Sequence, residues 1–516
     1  MKKAIKLFIV FMTFGILISA LFQSVKIYAA ENESNGINNL NKDSNEKIQN
    51  LIENNMDKGK IPGLSVVIVK GNETVYQKGF GYADLENKTP VTSKSIFEIG
   101  SNSKAFTALG ILNLQKDGLI KLEDKVTKYI PWLKVKYEGK DASITIEQLL
   151  HHTSGIPYNT IDKIPSSNED NALEKTVRTL VGINLDSKPG EKYQYATINY
   201  DVLGLIIKKV TGSSYEKYIE DSVLKPMNLN NTYLDRGQVT DDSMTKGYKL
   251  AFLKPSLYEA PVYRGNKPAG YILSNAEDMG KWLKIQLGTS SDSNFSKNLI
   301  KISQQPSRRT SPLADGSSYA DGWFVYQSGS GEISHRGNNP SYSSFIVFRP
   351  EEKIGVAILA NINSEYVAKI GQGINEILQS KVDNTDVKDI NKTTDNVSVL
   401  VIVITGLIII ITLYFTIKAL IQIFRKERKL DISKRSILAF TISLIFVAGL
   451  SYAIYLIPYI LFNGVSWSFV FVWLPKSIKV ALYLVYSTIW LVYIYSILVR
   501  SFKMHDESMS LFRFRK

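Results

Sequence analysis

Three apolar runs towards the C-terminal end, residues 397–420, 436–462 and 480–499, limit what this chain can fold into. Each is long enough to cross about 30 Å of hydrocarbon as a helix of about 20 residues, so the three read as transmembrane helices of a membrane domain, 397–516. Flanking charge sets their direction. Arg425, Lys426, Arg428, Lys429, Lys434 and Arg435 lie between the first two runs, and Arg500, Lys503, Arg513, Arg515 and Lys516 follow the third. Basic loops stay in the cytoplasm, which puts the domain ahead of residue 397 on the opposite face of a multi-pass cytoplasmic membrane protein. Residues 467–474, ahead of Pro475, are apolar but too short to span, and suit an interfacial or re-entrant piece.

Residues 1–30 carry Lys2, Lys3 and Lys6 ahead of an apolar run and then Tyr28-Ala29-Ala30, the pattern of a secretory signal. Tyr28 is large for its place before the cut, so the alternative is an uncleaved N-terminal anchor with the same orientation. These two ends account for the charge. Of the formal +14, residues 397–516 hold +10 and residues 1–30 hold +4, leaving the stretch between them neutral. A neutral domain has no basic stripe for phosphates, so nucleic acid is excluded as a partner. The chain has no cysteine and only four histidines, without the spacing of a zinc site, so neither disulfides nor a metal or other cofactor is expected.

Between the ends, residues 31–380 read as one extracytoplasmic domain with strands at both of its own ends. Segments 64–69 and 74–79 flank a loop containing Gly71, and 343–348 and 353–359 flank a second loop containing Pro350. Both hairpins are expected in one sheet, with the middle of the domain packed on it. Residues 381–396 are polar and read as a flexible linker to the membrane.

The chemistry concentrates at Ser101-Asn102-Ser103-Lys104. A strand-like Phe97-Glu98-Ile99 and a glycine precede it, and Ala105, Phe106, Leu109, Ile111, Leu112 and Leu114 follow as a buried helical pattern. Ser101 and Lys104, three apart, share a helix face, and a desolvated lysine amine can take the serine proton. Ser44, Ser214, Ser222 and Ser243 head the same spacing without that context, and read as surface pairs. A hydrolytic cycle then needs a group to handle the proton of a water. Tyr195, after the turn at Pro189-Gly190 and before an apolar helix, is the candidate, with cations expected to hold it phenolate-like. His335-Arg336-Gly337 supplies a third element. Gly337 lets substrate lie along an edge strand, the N–H groups of Asn338 and Ser101 could pair as an oxyanion hole, and His335 offers a polar or cationic group.

Together with Leu149-Leu150-His151-His152-Thr153-Ser154-Gly155-Ile156-Pro157, these motifs resemble the serine beta-lactamase and penicillin-binding-protein superfamily in its class C, peptidase S12 branch, over residues 46–380. The resemblance implies an α/β (α+β) fold, a mixed sheet flanked by helices plus an all-helical lobe. It also implies Ser101 as nucleophile, Lys104 as base for acylation, Tyr195 as proton-transfer group and a structural His152. One departure bears on substrate: the family's tyrosine motif Y-S-N is here Tyr195-Ala196-Thr197, which argues against ordinary beta-lactamase activity.

A narrower resemblance is to membrane-bound prodrug-activating D-aminopeptidases, such as the colibactin and zwittermicin maturation peptidases. It rests on the three C-terminal apolar runs and on segments such as 333–340 and 467–475. It implies removal of an N-acyl-D-amino acid leader, typically N-acyl-D-asparagine, from an exported nonribosomal peptide or polyketide precursor. The expected partners are then a lipid-acylated peptide-like small molecule, membrane lipid and an exporter of the precursor. Thr197 and Asn339 are candidates for the leader's polar side chain, or else hold their loops in place. The alternatives are a cell-wall D-alanyl carboxypeptidase, esterase or beta-lactamase-like hydrolase, and a non-catalytic binding or sensor module.

Overall fold

A computed structural model describes residues 37–327, 331–381 and 386–504. The signal or anchor at 1–30 and the last basic residues of the tail lie outside the described residues. The chain divides into two compact units, which among the described residues are 37–249 with 254–391, and 250–253 with 392–504.

The first unit is built on one sheet. Its main strands are β1 (Ile37–Asn38), β2 (Gly63–Lys70), β3 (Glu73–Asp84), β4 (Ser317–Tyr319), β5 (Phe324–Tyr326), β6 (Ile333–Asn339), β7 (Tyr342–Arg349) and β8 (Ile354–Ala360), with the short Thr89–Pro90 segment paired to β3 at the side. They run in the spatial order β1-β3-β2-β8-β7-β6-β5-β4. The early and late hairpins meet where β2 pairs antiparallel with β8, Val66 opposite Ile358. Leu64, Val66, Val67, Ile68 and Val69 are all fully buried, so both faces of β2 are covered. Each such side chain contributes about 1.5–3 kcal/mol by leaving water.

Helices cover that sheet and fill the middle of the unit: α1 (Lys42–Gly59), α2 (Ser103–Lys116), α3 (Ile198–Thr211), α4 (Ala276–Gln286) and α5 (Tyr366–Ile377). The helix α2 is buried from Ser103 to Leu114 on every side, a consequence of its unbroken apolar and small residues. Phe106 stacks on Trp282 of α4 with ring centroids 4.0 Å apart. The result is the α/β architecture expected from the sequence, except that the sheet is not mixed: all its strand pairs are antiparallel among the described residues, because neighbouring strands are joined by hairpins or meet as antiparallel ends.

The polar stretch 381–396 differs from its expectation. Its last residues begin a long helix, α6 (Ile390–Phe424), instead of remaining a flexible stalk. Asp389 accepts from the Ser364 hydroxyl at 2.6 Å and the Glu365 amide at 3.0 Å, and Asn391 donates to the Asn363 carbonyl at 3.1 Å. Polar composition marked this segment as solvated, whereas its polar side chains bind the polypeptide around the start of α5.

The second unit holds α6 with α7 (Lys434–Leu461), α8 (Trp467–Trp473) and α9 (Lys476–Ser501). The helices α6, α7 and α9 are long and apolar enough to cross a membrane, while α8, at 7 residues, is not. Each of the three extends beyond its apolar run at one end or both. Within this unit Asp395 is buried and accepts from the Ser477 hydroxyl and from the backbone amides of Phe252 and Leu253.

Candidate active site

Ser101 sits in a short 3-10 turn, Gly100–Asn102, that runs directly into α2. Gly100 has φ +54°, and a Cβ there would lie 2.5 Å from the Asn338 nitrogen and 2.6 Å from the Gly337 carbonyl carbon. Only glycine allows both that backbone and that approach. Gly337 answers it from β6, since a Cβ there would lie 2.1 Å from the Ile99 oxygen. Further bonds fix the turn: Asn102 Nδ2 donates to Ser344 Oγ at 2.7 Å, and Ser344 Oγ donates to the Ile99 carbonyl at 2.7 Å. Ile99 N–H bonds the Ile272 carbonyl at 2.9 Å, and Ser103 Oγ accepts from Ile272 N at 3.0 Å.

Three reactive groups converge on this turn. Lys104 Nζ lies 3.1 Å from Ser101 Oγ, and the Tyr195 hydroxyl donates to the same oxygen at 3.1 Å. Lys104 is fully buried and also donates to the Ala269 carbonyl at 2.6 Å and to Thr197 Oγ1 at 3.1 Å. Burial pushes its amine down to about 7, while the carboxylate of Asp201 pulls the other way. Held that low, the amine can give up its proton near neutrality and serve as a general base.

Tyr195 reaches this place through its neighbours. Its ring packs against His152 with centroids 4.2 Å apart. His152 Nδ1 accepts from the Ala196 amide at 3.3 Å and faces the Asn199 amide nitrogen at 2.9 Å, an arrangement that fixes the loop carrying Tyr195. Burial raises the Tyr195 phenol above its ordinary range, with the bonds to Ser101 and Thr197 opposing that. The resting tyrosine is a protonated donor, which replaces the phenolate-like state expected from the sequence. The amine lies 5.2 Å from its ring centroid and can stabilise a phenolate formed later.

His335 is buried on β6, its Nε2 3.1 Å from the Tyr319 hydroxyl and its Nδ1 2.7 Å from the Arg336 carbonyl oxygen. Burial and then the Lys104 charge push it down to about 3, so it is a neutral polar group and not a cation. The strand β5 pairs with β6 only at Ile333 and Ser334, so the edge of β6 from His335 to Asn339 has no strand partner on that side among the described residues. Asn338 and Gly337 lie on this stretch against the Ser101 turn. Asn339 is buried and its amide donates to Glu98 at 2.6 Å and to the Gly270 carbonyl at 2.8 Å, a loop-holding arrangement. Thr197 serves as an acceptor for Lys104.

Sequence reading missed two members of the lysine's surroundings. Asp201 is fully buried one helical turn beyond Thr197, and burial raises its carboxyl well above the usual range while Lys104 lowers it. The Asn266 amide, assigned with nitrogen towards Asp201 because the reverse sets oxygen against oxygen, reaches its two oxygens at 3.0 and 2.9 Å. A carboxylate inside the apolar run of α3 was the available signal. The Ala269 carbonyl carried none. No group of three or more His, Cys, Asp or Glu able to hold a metal ion occurs among the described residues.

Comparison with known proteins gives this geometry its family. Residues 48–379 match the family model described as Beta-lactamase. The chain belongs to the beta-lactamase family. It is a serine hydrolase of the beta-lactamase and penicillin-binding-protein fold. Protein flp of Staphylococcus aureus strain COL is 34% identical over 444 residues, covering 86% of this chain and 88% of that protein. Penicillin-binding protein 4* of Bacillus subtilis strain 168 is 28% identical over 355 residues, 64% of this chain and 75% of that one. Among solved structures, the octameric penicillin-binding protein homologue from Pyrococcus abyssi matches with TM-score 0.58 at 31% identity, over 65% of this chain and 78% of its own.

Proposed function

We propose that this serine hydrolase is held at the outer face of a cytoplasmic membrane and cleaves an acyl-amide bond through an acyl-enzyme on Ser101. One observation carries the reading: a single hydroxyl lies 3.1 Å from both a fully buried amine and a phenol. The neutral Lys104 amine takes the Ser101 proton as Oγ bonds to the substrate carbonyl carbon. Tyr195 gives its proton to the departing amine as the carbon–nitrogen bond breaks; the phenolate, beside the lysine cation, then takes a proton from the water that adds to the acyl carbon, and as the carbon–Oγ bond breaks Lys104 returns its proton to Ser101 and the acid leaves. The N–H groups of Ser101 and Asn338 are the proposed donors to the tetrahedral oxyanion.

The substrate we propose is an exported peptide-like precursor bearing an N-acylated D-amino acid leader, N-acyl-D-asparagine in the first instance. Two features support it: Thr197 stands where the family carries an asparagine, and three helices suited to a membrane accompany the catalytic unit. A lipid-tailed leader partitions into the bilayer at about 0.8 kcal/mol per buried CH₂, so an anchored enzyme meets it more often. An exporter would supply the precursor. The names of the penicillin-binding relatives favour a second reading, a hydrolase of D-alanyl groups in the cell wall.

Membranes containing the protein, incubated with an N-myristoyl-D-asparaginyl amide and its L-epimer, separate the two. Release from the D form alone supports the leader peptidase; release only from D-alanyl substrates supports the second. Fluorophosphonate labelling that survives Ser101→Ala would remove both.

A further inference from the structure

Beside the active site, and not lined by Ser101, Lys104 or Tyr195, lies a cavity of about 470 Å³. That is within the range of small-molecule sites. Tyr258, Tyr263, Tyr271 and Tyr342 form much of its wall with Leu234 and Leu257, an apolar lining on which a flat or branched side chain would pack.

Its charged groups are the informative part. Lys246 pairs with Asp84 at 2.8 Å, Arg264 with Asp170 at 2.6 Å, and Lys267 with Asp235 at 3.0 Å and Glu216 at 3.3 Å. Glu259 is exposed. Two opposite charges in the lining, Glu98 and Arg236, form no ion pair among the described residues; burial raises the Glu98 carboxyl, and the Asn339 amide and the Arg236 charge oppose that. Glu98 is held by Asn339 through one oxygen at 2.6 Å, and Arg236 bonds the Tyr342 phenol. A carboxylate fixed by a single amide beside an exposed guanidinium, across tyrosine walls, matches a ligand with an ammonium and a carboxylate on one small apolar body.

We infer that this cavity binds a free amino acid or a short peptide as its zwitterion, the ammonium on Glu98 and the carboxylate on Arg236. The site stands independently of the acyl-enzyme reading. It adjoins the catalytic lysine through a short path: Asn339 holds both Glu98 and the Gly270 carbonyl, and the preceding Ala269 carbonyl accepts from Lys104. Glu98 is thus linked through Asn339 and Gly270 to the carbonyl that makes the lysine's shortest hydrogen bond.

The test is calorimetric titration of the full-length protein in detergent with both enantiomers of phenylalanine, with N-acetylphenylalanine and with phenylalanine amide. At least one free enantiomer should bind, with the acetyl and amide derivatives at least tenfold weaker. Glu98→Gln should erase the preference over the acetyl form, and the exposed Arg236→Gln the preference over the amide. No binding of either enantiomer, equal binding of all the compounds, or preferences unchanged in the variants would overturn the site. Fluorophosphonate labelling of Ser101 on the same samples reports the hydrolase reading separately, so labelling without amino-acid binding counts against the cavity alone.

Discussion

Lys104 donates to the carbonyl of Ala269 at 2.6 Å while lying 3.1 Å from Ser101 Oγ, so one backbone oxygen aims the catalytic amine. Because that amine is held down to about 7, labelling of Ser101 by a fluorophosphonate should rise about tenfold per pH unit below 7 and level off above it. Lys104→Arg, which stays protonated, should abolish the rise. Stability carries the same signature. The lysine's ordinary value is 10.5, so between about 7 and 10.5 the unfolded chain binds more protons and this group's contribution to stability increases with pH. Urea midpoints at pH 7 and pH 9, compared with Lys104→Met, measure it.

Gly337→Ala drives a methyl to within 2.1 Å of the Ile99 oxygen and 2.3 Å of Ser344 Oγ. The Ser101 turn must shift, at a cost of about 1–3 kcal/mol. A lower thermal midpoint together with labelling slowed at least a hundredfold is the expected outcome, whereas wild-type labelling would show that β6 does not set the turn.

His152→Leu leaves the Ala196 N–H and the Asn199 amide without their acceptor, costing about 1–3 kcal/mol. Tyr195 should lose its position. With an ester substrate, whose leaving group needs less help from the Tyr195 proton, hydrolysis is expected to slow more than acylation, so acyl-enzyme should accumulate in rapid-quench experiments.

How much of this was legible in the sequence depends on where each signal lies. The two hairpins, their common sheet and the Ser101, Lys104 and Tyr195 motifs come from local patterns of alternation, glycine and hydroxyl groups. Ala269 acts through a backbone carbonyl, which every residue has, and Asp201 looked like one more polar position on a helix. The start of α6 was hidden because Asp389 and Asn391 bind backbone and hydroxyl groups more than twenty residues earlier. The difference between phenolate and phenol at Tyr195 came from burial, which no motif encodes.

Thr197→Asn restores the family's usual residue beside Lys104. If the threonine excludes beta-lactams, the variant should gain labelling by a fluorescent penicillin at least tenfold while keeping fluorophosphonate labelling. No gain would assign the exclusion to another part of the site.

The pairing of β2 with β8 joins residues about 290 positions apart at the centre of the sheet. A ribosome or translocation channel delivers the nucleophile's segment long before the last strand emerges, and Gly337 arrives late as well. The newly made polypeptide is therefore inert until nearly all of its catalytic unit has been delivered, which confines its reactivity to the compartment where it finishes folding.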